Sequence, residues 1–275
     1  AKGASGIRVE VVQTLLDLIN HGHAPVVPSI GSLGASGDLA PLAHMAMSLI
    51  GEGRFQSRIG GQWADSETEA VFSDIGREPV VLEAKEGLSL INGTSQMCSY
   101  LAEASSLATK LCDAADAACA MSVEAIAGSH TPFDPRIHEI RHQVGQGRSA
   151  SRIMGHLKSS EIKESHADCE RVQDAYSFRC APQVHGAVLD VLDHVTNVVI
   201  SDANSATDNP LIVPDGEGGY DVLSGGNFHG EPLALSADSL ASALHELCSI
   251  SERRSNQVLT PHWSGLPPFL ARNLS

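Results

Sequence analysis

The sequence is poor in aromatic residues: six Phe, three Tyr and two Trp make up 4% of its 275 residues. Strands favour aromatic and β-branched side chains, so this scarcity, beside abundant alanine, disfavours a β-sandwich and favours closely packed helices. Basic residues are also few. Lys and Arg total 18 against 33 Asp and Glu, a formal net charge of −15. That balance argues against nucleic acid or an anionic membrane as a partner, since both call for a basic patch. No run of about eighteen apolar residues is present, so nothing reads as a bilayer-spanning helix. The six cysteines, Cys98, Cys112, Cys119, Cys169, Cys180 and Cys248, form no Cys-x-x-Cys pair and no disulfide-like framework. With no signal-peptide pattern among the opening residues, the expectation is reduced thiols and a cytoplasmic location.

What is present is helical periodicity. Ile7, Val11, Leu15, Leu18 and Ile19 share one stripe, and a stop follows near Asn20 to Gly22, with Pro25 and Pro28 preventing resumption. A Gly-rich loop, Gly31 to Gly37, leads to Asp38 as a helix N-cap before Leu39, Leu42, Met45, Ala46 and Leu49, with Pro41 in the first turn. A short hairpin over 53–63 turns at Gly60-Gly61, and a weak helix covers about 65–76. From Thr94 to Ala127 runs a long alanine-rich helix without Gly or Pro, and two more are expected at about 182–204 and 233–258. The reading is an all-α fold, a bundle of long helices with minor short hairpins, as a single domain over 1–275. The helix that starts almost at Ala1, and the turn Gly265-Leu-Pro-Pro-Phe-Leu270 that leads onward before Ser275, suggest a piece of a longer chain.

Polar clusters lie in loops between these helices: Gln173 to Arg179, Thr207-Asp-Asn-Pro210 and Gly225 to Pro232. His138-Glu-Ile-Arg-His142 matches H-E-x-x-H, which on a helix would set two zinc ligands on one face. The segment, opened by Asp134-Pro135 and ended by Gly145, is barely three turns and lacks an apolar lining. It reads better as exposed helix charges, and no metal is assigned. Gly31, Gly34 and Gly37 fit no phosphate-loop spacing, and Ser36 lacks the G-x-S-x-G elbow of a hydrolase.

Ala35-Ser36-Gly37 has a chemistry of its own. If the turn presses the Gly37 nitrogen against the Ala35 carbonyl carbon, the backbone can cyclise with loss of water, because glycine has no Cβ to block the approach. Ser36 can then lose its hydroxyl by β-elimination. The result is an exocyclic methylene conjugated to the new ring, an electrophile made from the chain. The helix that follows would favour electron density arriving there.

At this point the sequence resembles the histidine and phenylalanine ammonia-lyase family, whose electrophile is 4-methylideneimidazol-5-one (MIO), formed from Ala-Ser-Gly. The resembling segments are Gly31 to His44, Lys85-Glu-Gly-Leu-Ser-Leu-Ile-Asn-Gly-Thr94, Phe133 to His138, Gln173 to Arg179, Thr207 to Leu211 and Gly225 to Gly230, in order along the chain. Arg179 to Gly186, Gly226 to Pro232 and Ser264 to Leu270 are most similar to the histidine branch.

The resemblance implies an ammonia-lyase/fumarase-like helical core in a homotetramer whose active sites draw on several subunits. It implies non-oxidative deamination of L-histidine to trans-urocanate and ammonia, with no external cofactor. Ala35, Ser36 and Gly37 would supply the MIO ring. Asn92 would bond near the ring and the substrate amine, and Tyr176 would handle or orient a proton. Arg179 would pair with the substrate carboxylate, Gln173 would line the pocket, and Phe228 would lie beside the electrophile. A catalytic Tyr and a substrate-contacting His would lie upstream of Ala1, and an imidazole-reading Glu beyond Ser275. The rival readings are a phenylalanine or tyrosine ammonia-lyase or aminomutase with the same electrophile, a catalytically incomplete assembly subunit, and a zinc peptidase built on His138 and His142.

Overall fold

The computed structural model describes residues 2–165 and 171–271; Ala1, Cys169 and the last residues through Ser275 lie outside it. In chain order its elements are α1 (Val9–His21), β1 (His23–Pro25), α2 (Leu39–Leu49), β2 (Phe55–Ile59), β3 (Gln62–Ser66) and α3 (Thr68–Ile75). There follow α4 (Glu86–Ile91), α5 (Ser95–Ala125), α6 (Pro135–Glu139), α7 (Val144–Leu157), α8 (Glu161–Ser165) and α9 (Tyr176–Arg179). The chain continues with α10 (Ala181–Ala203), β4 (Leu211–Pro214), β5 (Tyr220–Leu223), α11 (Glu231–Leu259) and α12 (Pro261–Ser264). The all-α expectation holds: among the described residues the strands form only a three-stranded antiparallel sheet, β1-β2-β3, and the β4-β5 hairpin.

The chain divides into two compact units, Ala1–Leu101 with Val198–Leu235, and Ala102–Asn197 with Ser236–Ser275. The divisions fall inside α5, α10 and α11.

In the first unit the apolar stripe of α1 buries Val11 and Leu18 against Leu49, Phe55, Val71, Phe72 and Leu90. Phe55 and Phe72 meet edge to face, ring centroids 6.2 Å apart, an arrangement that favours the electrostatics of both rings. Gly22 ends α1 at φ 75°, its N–H closing on the Leu18 and Ile19 carbonyls. The β2–β3 turn at Gly60-Gly61 is as expected; both residues have positive φ, which suits a right-twisted hairpin. β1 is the difference. Pro25 pairs opposite Phe55 at the sheet edge, a position a proline tolerates because one side of the strand carries no ladder.

The second unit is built on Cys119 and Val123 of α5 with Ile126 just after it, Phe133 before α6, Ile153 and Leu157 of α7, Phe178 of α9 and Ala181 of α10. Here the expected helix from Asp134 to Gly145 is corrected. Asp134 does cap a helix, accepting from the Arg136 N–H at 3.0 Å, but α6 ends at Glu139. Gly145 opens α7 instead of ending its predecessor. A Cβ there would lie 2.0 Å from the Gly186 carbonyl oxygen, so α7 and α10 approach backbone to backbone at a glycine pair. The Gly145 N–H donates to Asp190 Oδ1 at 2.8 Å, which satisfies an orphan donor of the first turn. The described cysteines, Cys98, Cys112, Cys119, Cys180 and Cys248, are free.

Candidate active site

Five of the residues read as site residues, Ala35, Ser36, Gly37, Asn92 and Phe228, fall in the first unit; Tyr176, Arg179 and Gln173 fall in the second. Each group is held by its own local chemistry.

In the first unit Ser36 is exposed and Ala35 and Gly37 are half-buried. Gly37 has φ 115°, a backbone conformation that a side chain would strain. The Ala35 carbonyl oxygen accepts a hydrogen bond from the Gly230 N–H at 2.6 Å. Gly230 immediately precedes α11, so the partial positive charge of that helix N-terminus is directed at the Ala35 carbonyl. On the other side of the turn, the Asp38 N–H donates to the Gly93 carbonyl at 2.8 Å. Asp38 stands at the N-cap position of α2 but does not cap it. Its fully buried carboxylate accepts from Ser32 Oγ at 3.1 Å and from the Met97 N–H at 2.9 Å, so it serves the first turn of α5 and ties the loop to that helix.

Asn92 follows α4, and its amide nitrogen donates to the Asn209 carbonyl at 3.0 Å, with Asp208 Oδ1 at 3.4 Å. Both neighbours are acceptors, which fixes the amide orientation and leaves Oδ1 open to receive a donor. Asp208 is buried; it accepts from Lys85 Nζ at 2.6 Å and from the Asn209 N–H at 2.6 Å. The adjacent Glu86, also buried, accepts a two-pronged pair from Arg8, Nε and Nη2 both at 2.8 Å. That bidentate bond holds the Glu86 carboxyl down to about 2. Asp38, Lys85 and Asp208 were not singled out in the sequence as site residues, although all three lie in segments that carry the resemblance. Phe228 is half-buried, and its carbonyl oxygen would lie 3.5 Å from a Cβ at position 37.

In the second unit Tyr176 opens α9 and Arg179 closes it. The guanidinium lies 4.5 Å from the Tyr176 ring centroid, a cation–π contact, and among the described residues Arg179 makes no ion pair. Its Nε is buried without a hydrogen-bond partner. Tyr176 is 70% exposed, and Gln173 is exposed at the rim of a cavity of about 520 Å³ that Ser129, His130 and Asp174 also line. Asp174, next to Gln173, accepts from the Ser129 N–H at 2.7 Å and from Arg171 at 3.1 Å.

The H-E-x-x-H segment departs from both readings of it. His138 is buried, not an exposed charge, and α6 ends one residue later, so His142, at φ 60°, does not share a helix face with it. Both ring nitrogens of His138 are engaged, Nε2 with the Pro132 carbonyl at 3.1 Å and Nδ1 with the Gln146 amide at 2.9 Å. Burial holds its pKa below the ordinary value.

In the first unit the turn at residues 35–37 is thus tied at its Ala35 carbonyl to the Gly230 N–H before α11, and beside it the Asp38 N–H is tied to the Gly93 carbonyl. The sequence pattern of the aromatic amino acid lyase family matches residues 1–275, and the chain belongs to that family. It is 48% identical over 273 residues to histidine ammonia-lyase of Myxococcus xanthus (strain DK1622), covering 99% of this chain and 52% of that protein. Among solved structures, histidine ammonia-lyase from Trypanosoma cruzi is similar at 42% identity and a TM-score of 0.84, covering 99% of this chain and 49% of that one. Tyrosine aminomutase from Streptomyces globisporus is similar at 36% identity and a TM-score of 0.84, covering 99% of this chain and 54% of that one. The chain spans about half the length of the relatives it matches.

Proposed function

We propose that this chain forms MIO from Ala35-Ser36-Gly37 and contributes the electrophile-bearing part of an ammonia-lyase that converts L-histidine to trans-urocanate and ammonia. One observation carries the reading: the Ala35 carbonyl oxygen accepts a 2.6 Å hydrogen bond at the N-terminus of α11, while Gly37 holds φ 115°. The Gly230 N–H withdraws electron density from the Ala35 carbonyl carbon, the atom that the Gly37 nitrogen must attack. Closure forms the bond from the Gly37 nitrogen to the Ala35 carbon. The Ala35 oxygen then leaves as water with the amide hydrogens of Ser36 and Gly37. A second water takes the Ser36 Oγ and its Cα hydrogen. Within the turn nothing beyond the chain itself is consumed.

The finished group supplies an electrophilic carbon able to make the substrate amino group a better leaving group. Asn92 presents Oδ1 to the amine, since its nitrogen is engaged by Asn209 and Asp208. Arg179 receives the carboxylate as a charged fork, with Tyr176 beneath it and Gln173 at the rim. Phe228 flanks the ring. In this reading the protein is a homo-oligomer, a tetramer, and one pocket gathers groups from more than one copy. The histidine ammonia-lyases it resembles favour L-histidine. The likeness to a tyrosine aminomutase supports the second reading, an aromatic amino acid substrate handled by the same electrophile.

Intact-mass measurement tests the central step. The wild-type chain is expected two waters lighter than its sequence over residues 35–37, and the Ser36→Ala variant, with no β-hydroxyl to eliminate, is expected not to lose the second water and to lack the ultraviolet absorbance of the ring. A wild-type chain of unaltered mass that still releases ammonia from L-histidine sinks the proposal.

A further inference from the structure

We propose that Arg254 and His185 are positioning residues: with Asp116 they form a buried chain that fixes the Ser177 carbonyl, and with it the turn that presents Tyr176 and Arg179. The inference rests on the reading of those two residues as substrate-handling groups. It concerns side chains which that reading does not use.

α9 is a single turn. Within it the Ala175 carbonyl accepts from the N–H groups of Phe178 at 3.0 Å and Arg179 at 3.2 Å, and the Tyr176 carbonyl accepts from Cys180 at 2.9 Å. Ser177 lies between the two functional residues, and its carbonyl accepts from Arg254 Nε at 2.9 Å. Arg254 extends from α11 and is 2% exposed. Its Nη2 contacts His185 Nε2 at 3.1 Å, and His185 Nδ1 contacts Asp116 Oδ1 at 2.8 Å. Ser149 Oγ of α7 donates to the same Asp116 oxygen at 2.6 Å. His185 and Asp116 are both fully buried.

The direction of this chain follows from its donors. Arginine has donors only, so His185 Nε2 must accept, and the imidazole proton sits on Nδ1 and is donated to Asp116. The imidazole is therefore neutral and passes polarisation from a buried carboxylate to a buried guanidinium. Burying two charges is costly unless each is fully hydrogen-bonded, and Asp116 Oδ2 makes no hydrogen bond, with Arg152 Nη1 at 3.7 Å from it; a cheaper apolar core was open to helices as rich in alanine and leucine as these. What the ionic arrangement gives, and an apolar one would not, is a donor at one defined carbonyl of α9. That matters because the pair has few polar ties of its own. Among the described residues Arg179 makes no ion pair, its Nε has no hydrogen-bond partner, and its guanidinium rests over the Tyr176 ring. The backbone of the turn thus sets where the guanidinium is presented.

The test compares two probes on the intact protein: imidazolepropionate, which carries a carboxylate, and imidazole, which does not. Arg254→Lys keeps the charge but cannot serve Ser177 and His185 together. It is expected to weaken imidazolepropionate binding about tenfold and to leave imidazole binding within about twofold. His185→Leu is expected to do the same. His185→Gln is expected to restore binding to within about threefold, because an amide offers one acceptor to Arg254 and one donor to Asp116. This histidine pair decides the matter should Arg254→Lys fail to fold. Equal weakening of both probes, or no weakening of either, overturns the positioning role. A wild-type protein that binds imidazole but shows no Arg179-dependent preference for imidazolepropionate removes the assignment of Arg179 instead, and the positioning role falls with it. Nitrogen-15 shifts of His185 give a reading that does not depend on substrate: a protonated Nδ1 is expected, and a protonated Nε2 overturns the chain as drawn.

Discussion

The two units hold their functional groups by opposite means. In the first, loops are pinned by charge pairs that reach toward solvent: Arg8, whose side chain is 36% exposed, grips the buried Glu86, and Lys85 at 17% grips Asp208. In the second, a single turn is backed by long helices, and the polar chain behind it, Asp116, His185 and Arg254, is sealed from water. In the proposed reading the first unit carries a loop that cyclises its own backbone, which needs strain and fixed ends, and the second a turn that receives a substrate, which needs a stable presentation. The difference teaches that the two requirements select different physics, and each unit can be broken by a perturbation the other tolerates.

The largest effect is expected from the core behind α9. Phe178 is 1% exposed and central to the apolar cluster of the second unit. Phe178→Ala should cost about 3–5 kcal/mol, the transfer loss plus the cavity left behind. Urea unfolding measures it. A cost under about 1 kcal/mol would show that the helices collapse around the gap and that the second unit is not the rigid support described.

Acid should separate the units next. His138 is held neutral by burial, its pKa below the ordinary 6.5, so the stability it contributes is present above about pH 6.5 and falls away as the pH drops and the unfolded chain takes up a proton. Glu86, with a folded value of about 2 against an ordinary 4.5, keeps its contribution down to about pH 4.5 and loses it toward pH 2. Hydrogen exchange, corrected for intrinsic rates, should therefore loosen α6 and α7 near pH 5.5 while α1 and α4 stay protected, and α1 and α4 should follow only below pH 4. Simultaneous loosening near pH 4 would mean that His138 contributes nothing. Removing it with His138→Gln, which keeps a donor for Pro132, should abolish the upper step alone.

The sequence displays the long helices because their periodicity runs for many turns, and it displays the β2–β3 hairpin because Gly60-Gly61 marks a turn on local grounds. It does not display β1, β4 or β5. Strands of three or four residues are too short for an alternation to register, and β1 carries a proline. Nor does it display α7. Gly145, Gly147 and Gly155 lower its helix propensity, and the reason for the first is Gly186, forty-one positions along the chain and invisible in any window. The candidate site follows the same division. Ala35-Ser36-Gly37 can be recognised as a local chemical unit. Asp38 looks like an ordinary N-cap until α5 supplies the donor it actually serves, and His185 and Arg254 look like any polar residues on a helix until Arg254 is placed between Ser177 and His185.

The smallest effect sharpens the contrast from the other side. Arg54, just before β2, and Asp65 of β3 form an ion pair at 3.7 Å, with side chains 76% and 71% exposed, and Gln56 Nε2 donates to Asp65 Oδ1 at 3.1 Å. Exposed pairs gain little Coulomb energy in water and give up side-chain freedom to hold one geometry. Asp65→Asn should change stability by about 0.5 kcal/mol or less, and raised salt should erase even that. The Arg8–Glu86 pair, of the same formal kind in the same unit, should resist that salt because one partner is sealed from water. If the two pairs respond to salt alike, burial of Glu86 is not what sets its carboxyl apart, and the charge pinning of the first unit is a surface effect after all.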